Sequence, residues 1–122
     1  MPETFTVDVG ARIVRGRVWG KFTASELLEH YLKMAADPAF DPAFSQIGDL
    51  REVEEFDMGS TAVEAAADLG VFSNASRRAL VVARDVQFGI ARMYATFSEM
   101  AGQNVRVFRD YDAALSWALH ET

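Results

Sequence analysis

Hydrophobic and polar positions change period several times along the chain, and each change predicts an element. Phe5 and Val7 alternate with Thr4, Thr6 and Asp8, which predicts a half-buried strand. Gly10 marks a turn. Val14, Gly16 and Val18 then alternate with Arg15, Arg17 and Trp19, giving a second strand that pairs with the first as a hairpin and ends at Gly20-Lys21. Thr23 and Glu26 stand at capping-box spacing before Leu27, Leu28, Tyr31, Leu32 and Ala35, which recur at helical spacing. That helix stops near Asp37-Pro38. A short tandem follows, Asp37-Pro38-Ala39-Phe40 and Asp41-Pro42-Ala43-Phe44, whose prolines exclude regular structure; we expect a loop with both phenylalanines tucked inward.

Ser45 to Leu50 reads as a third strand, followed by a polar stretch from Glu52 to Gly59. A second helix starts at Ser60 or Thr61, with Thr61 and Glu64 again at capping-box spacing, and runs to about Leu69 before Gly70. The unbroken run Ala79-Leu80-Val81-Val82-Ala83 suits a central strand buried on both faces. Asp85 is placed to cap a third helix with Val86, Ile90, Met93, Phe97 and Met100 as its apolar stripe. After Gly102 come a short strand at Val105, Val107 and Phe108, then a helix capped by Asp110 with Ala114, Leu115, Trp117 and Leu119 on its core side. The order is β-β-α-β-α-β-α-β-α. It predicts an α/β fold with a mixed five-stranded sheet, mainly parallel, the hairpin lying at one end. No linker divides residues 1–122, so we expect one domain.

Composition narrows the class of function. The 122 residues are half hydrophobic and a quarter charged, the profile of a globular chain. The absence of cysteine excludes disulfides and thiol chemistry. The N-terminus has no basic stretch leading into an apolar run, and no segment approaches the roughly 18 apolar residues of a membrane span, so a cytoplasmic location is expected. Eighteen acidic against twelve basic residues give a net charge of −6, which repels nucleic acid. Arg12, Arg15 and Arg17 form the one candidate basic patch, and decoration of a strand's open face explains them as well.

The inventory for catalysis is sparse. His30 falls on the polar side of the first helix and His120 lies near the C-terminus; both read as surface residues. No nucleophile elbow, no calcium-loop spacing and no phosphate-binding loop is present, so neither a metal nor a cofactor is expected. Asp37 and Asp41 are turn starters, and Asp49 or Asp57 would serve as a base only if burial raised its pKa. Gly59, Ser60 and Thr61 at a helix start offer free N–H groups to an anion, although capping alone accounts for the same residues. Phe88, Met93, Tyr94, Phe97 and Met100 crowd one helix; they suit a core, or an apolar pocket that Phe40 and Phe44 would help to line.

Three stretches carry a likeness to a known family. They are Arg84-Asp85-Val86-Gln87-Phe88-Gly89-Ile90-Ala91-Arg92-Met93-Tyr94, then Val105-Arg106-Val107-Phe108-Arg109-Asp110 with Ala113-Ala114-Leu115-Ser116-Trp117, and the strand Ile47-Gly48-Asp49-Leu50-Arg51. Together they resemble the SpoIIAA-like family, small bacterial proteins related to STAS and SEC14-like domains. The resemblance implies helices mainly on one face of the sheet. By analogy with STAS domains it implies regulation through protein–protein interaction, switched by a phosphorylated serine. The STAS motif, hydrophobic-Asp-Ser-Ser-Gly, aligns with Phe56-Asp57-Met58-Gly59-Ser60. Phe56 and Asp57 match, but Met58 and Gly59 replace the serines, leaving Ser60 or Thr61 as the substitute acceptor. By analogy with SEC14-like domains it implies a lipid-like ligand in an apolar pocket. The expectation is thus a binding or regulatory module rather than an enzyme. Its partner is a protein not named by the sequence, a homodimer being one form, and its alternative is a carrier of a small apolar molecule.

Overall fold

The computed structural model describes residues 3–120. Strands β1 (Glu3–Asp8) and β2 (Ile13–Thr23) form an antiparallel hairpin; Asp8 Oδ1 accepts the Ala11 N–H across its turn. They are followed by α1 (Ala24–Ala36), β3 (Ser45–Asp57), α2 (Ser60–Ala67), β4 (Arg77–Val81), α3 (Asp85–Met100), β5 (Asn104–Phe108) and α4 (Tyr111–Ala118). The sheet order is β1-β2-β3-β4-β5, with every pair after the hairpin parallel. The element order and the mixed five-stranded sheet are those expected from the sequence.

Period-two alternation divides the sheet into two faces. Val14, Leu80 and Val82 pack under α1, α2 and α3, against Tyr31, Met34, Val63, Ala66, Ala91 and Tyr94. Ile13, Ile47, Ala79 and Val81 face the other way and are covered by Ala114 and Ala118 of α4. The apolar run of β4 is therefore buried on both sides. Three helices share one face and the last takes the other. In the proline loop, Asp37 and Asp41 accept the N–H groups of Ala39 and Ala43, Phe44 is buried, and Phe40 meets Phe72 edge-on.

Five sequence expectations are corrected. The third strand does not end at Leu50 but takes in the polar stretch as far as Asp57, and β2 does not stop at Gly20-Lys21. Both strands run on together because Val18, Phe22 and Val53 build a small core of their own beyond the main one. Register shifts and the positive φ of Gly20 (71°) let the ladder continue past an irregularity. Thr61 and Glu64 make no capping box: Gly59 is the N-cap of α2 and no side chain caps it, whereas the Thr23–Glu26 box is fully formed. Asp85 and Asp110 supply no side-chain caps either; Arg84 is the N-cap of α3, and Gln87 Oε1 accepts its N–H. Finally, α3 buries Gln87, Ala91, Tyr94 and Ser98, one position round from the predicted stripe, leaving Val86 60% and Met100 78% exposed. Small Ala91 and Ser98 let the helix approach closely; Gln87 and Tyr94 are accepted on this face because they find partners, whereas the Ser98 hydroxyl has none among the described residues.

Candidate functional site

Two glycines open the site. Gly16 of β2 and Gly48 of β3 are register partners, followed by Leu80 of β4, all on the face beneath α1 and α3. A Cβ on Gly16 would stand 3.3 Å from His30 Nε2, and one on Gly48 3.2 Å from Leu80 Cδ2. With neither present, a cavity of about 60 Å³ remains, walled by Val18, Phe22, Leu27, Leu80, Ile90 and Ala91 and reached by His30, Tyr31 and Tyr94. About 10–15 Å³ holds one water, so this half-open space suits a group of roughly five heavy atoms. A long acyl chain does not fit within it.

His30 is not a surface residue, contrary to the sequence reading. Its Nδ1–H donates to Glu3 Oε2 at 2.8 Å, with the two side chains only 7% and 5% exposed, and Lys33 holds the other Glu3 oxygen at 3.2 Å. Burial holds the imidazole below its usual pKa despite the pull of Glu3, so it is neutral at pH 7. Burial alone would raise the Glu3 pKa, but His30 and Lys33 outweigh it and hold the carboxyl below its usual range. With Nδ1 occupied, Nε2 carries the lone pair, at the cavity wall over Gly16. Among the described residues no hydroxyl bonds to it, so the arrangement is that of a hydrogen-bond acceptor rather than of a base activating a nucleophile.

A second polar group lies one row along the sheet. Arg78 is the register partner of Gln46, on the cavity side of β4, and is only 3% exposed. Its Nε–H donates to Gln46 Oε1 at 3.0 Å, Nη1 to Gln103 Oε1, and Nη2 to the hydroxyls of Tyr31 (2.9 Å) and Tyr94 (2.6 Å). The rings of Phe72, Tyr31 and Tyr94 face the guanidinium at 4.8–5.5 Å. The sequence reading passed over this residue. The signal was there: period two from Leu80 and Val82 puts position 78 on the same inward face.

The candidate residues from the sequence scatter. Of Phe40, Phe44, Phe88, Met93, Tyr94 and Phe97, Tyr94 alone lines the cavity. Phe44 is core, Phe40 packs on Phe72, and Phe88, Met93 and Phe97 are half-buried against the main core, with Arg92 and Arg109 over the Phe88 ring. Gly59, Ser60 and Thr61 are exposed at the start of α2, and the Asp57 carboxylate lies 3.6 Å from Lys21 Nζ. Asp49 is no raised-pKa base: burial pushes it up, but Arg51, bonded to both its oxygens at 2.9 and 2.8 Å, outweighs that and holds it low. The basic patch dissolves into pairs, Arg15 with Asp8 and Arg17 with Glu52, while Arg12 sits in the hairpin turn over Phe44. Among the described residues no three His, Asp or Glu side chains gather to hold a metal, and no helix is long and apolar enough to cross a membrane.

No protein-family model and no curated protein matches this sequence. Among solved structures it is similar to an uncharacterised protein of the DUF3478 family from Shewanella loihica with a SpoIIAA-like fold. The TM-score is 0.61 and the identity 18%, over 95% of this chain and 93% of that one. At that identity the likeness speaks for architecture and not for activity. Strand order, helix placement and this structural neighbour agree: the chain has a SpoIIAA-like fold.

Proposed function

We propose that this protein binds a small, mainly apolar molecule in the cavity between β2–β3 and helices α1 and α3. The observation that carries the reading is the Gly16–Gly48 pair, which leaves space against an otherwise packed sheet face. Apolar walls supply the driving force, and His30 Nε2 supplies an acceptor that orients a ligand donor. The small volume favours a short ligand over the long chain of a lipid carrier. Ligand-observed NMR with a library of four- to eight-atom compounds tests this. Binding to the wild type that weakens at least tenfold in folded Gly48→Val is the expected result. Equal binding by that variant overturns the reading.

A regulatory role through partner binding has one observation in its favour. Ser60 and Thr61 are exposed at an α2 N-terminus that no side chain caps, and Asp57, which would repel a phosphate there, is drawn to Lys21. A pull-down comparing wild type with Ser60→Asp and Thr61→Asp tests it. An unchanged set of partners overturns it.

A further inference from the structure

We propose that the ligand of this cavity is an anion, a short-chain carboxylate whose charge lies against the Tyr31 and Tyr94 hydroxyls with Arg78 behind them. This inference rests on the cavity reading above and names the chemical class of its occupant.

The charge balance around the cavity leads to it. Every carboxylate near the cavity already has a cation: Glu3 has Lys33, Asp49 has Arg51, and Glu52 has Arg17. Arg78 has none. All four of its hydrogen-bond partners are neutral, and among the described residues it enters no ion pair. A guanidinium taken out of water without a counter-charge is costly, and dipoles and ring faces offset that only in part. The surplus positive charge sits beside the cavity: Arg78 and Leu80 are two residues apart on β4, about 6.6 Å along the strand. Tyr31, Tyr94 and Gln46 border the cavity and bind Arg78 at the same time.

The phenols relay this charge. Each hydroxyl oxygen accepts from Nη2, which leaves its own proton to give. The Tyr31 and Tyr94 rings stack with centroids 6.2 Å apart, and neither O–H has an acceptor among the described residues. Burial raises the Tyr94 pKa, keeping that phenol protonated and a donor. A donor polarised by a buried cation at the edge of an apolar space recognises a carboxylate more strongly than a neutral group.

The test is calorimetric titration of the wild-type protein with straight-chain carboxylates of three to six carbons and their primary amides at pH 7.5. The expected result is that the best carboxylate binds at least tenfold more tightly than its amide. Arg78→Met should reduce that ratio to within threefold of one, and so should the double variant Tyr31→Phe with Tyr94→Phe, which supplies the answer should Arg78→Met not fold. An amide that binds as tightly as its carboxylate overturns the anion assignment and leaves the cavity reading standing. Binding of neither class removes the cavity reading and this inference with it. A preference that survives in the folded variants overturns the role given to Arg78 and the tyrosines.

Discussion

Gly16 and Gly48 are register partners on adjacent parallel strands, and together they withhold two Cβ atoms from the same cavity. Neither has the positive φ that would demand glycine, so backbone geometry does not account for them. Gly48→Ala should therefore be tolerated. A Cβ there meets Leu80 Cδ2 at 3.2 Å, a contact that a rotamer adjustment can relieve. The gain from a less flexible unfolded chain, about 0.4–1 kcal/mol, opposes that cost. Urea unfolding should show a net change within about 1 kcal/mol, while affinity for any cavity ligand falls several-fold. A large stability loss would mean that the glycine serves packing and not space.

Acid should weaken the fold through His30. Its folded pKa lies below the ordinary 6.5. Between that folded value and 6.5 the unfolded chain binds a proton that the native state refuses, so stability falls as pH falls through this window, by at most about 1.4 kcal/mol per pH unit. Glu3, held below 4.5, contributes stability that is present above 4.5 and disappears as pH drops through its own folded value. Denaturant titrations at pH 7, 6 and 5 should show a declining free energy of unfolding, and His30→Gln should flatten the decline. A wild-type protein that gained stability towards pH 5 would contradict the dominance of burial.

Gln87 joins the start of α3 to β3 and should be expensive to remove. Fully buried, it accepts the N–H groups of Ala83 and Arg84 through Oε1, at 2.8 and 3.0 Å. Its Nε2 donates to the carbonyls of Arg51 and Val53, at 3.0 and 2.8 Å. Gln87→Ala strands the Ala83 and Arg84 N–H groups and the Arg51 carbonyl, while Val53 keeps the Arg84 side chain, and it leaves a void. A loss of about 3 kcal/mol follows from the usual cost of buried unpaired groups, measurable as a shift in urea midpoint at constant slope. A change below about 1 kcal/mol would mean that water replaces the side chain.

Two threonines with the same sequence signature should behave differently. Thr23→Ala removes a working N-cap and should cost about 1 kcal/mol, since Thr23 Oγ1 accepts the Glu26 N–H. Thr61→Ala, inside the first turn of α2 and exposed, should stay within about 0.5 kcal/mol. Thermal unfolding of the two variants side by side distinguishes them, and equal losses would contradict the cap assignment.

Local pattern was enough for the order of nine elements, the hairpin, the doubly buried β4 and the Thr23 cap. Each depends on residues close in sequence, where period, turn chemistry and capping act directly. The ends of β2 and β3 were not legible, because the stretch from Glu52 to Asp57 is polar by composition. It becomes strand through Val53 and Phe56 meeting Val18 and Phe22 from another part of the chain.

The candidate site was less legible still. Helical periodicity located an amphipathic α3 but pointed its apolar stripe one position away from the buried face. Tyr94 was singled out from the sequence, His30 was weighed and read as a surface residue, and Glu3, Gly16, Gly48 and Arg78 were not considered for the site. Sequence by itself determined which strands and helices exist and which residues alternate inward. Tertiary structure alone decided that a histidine and a glutamate would be buried, and which partners the inward-facing arginine would meet. A polar side chain goes inside only when its partners arrive from distant segments, and those partnerships, 27 residues apart for His30 and Glu3 and 47 for Arg78 and Tyr31, leave no periodic trace in the chain.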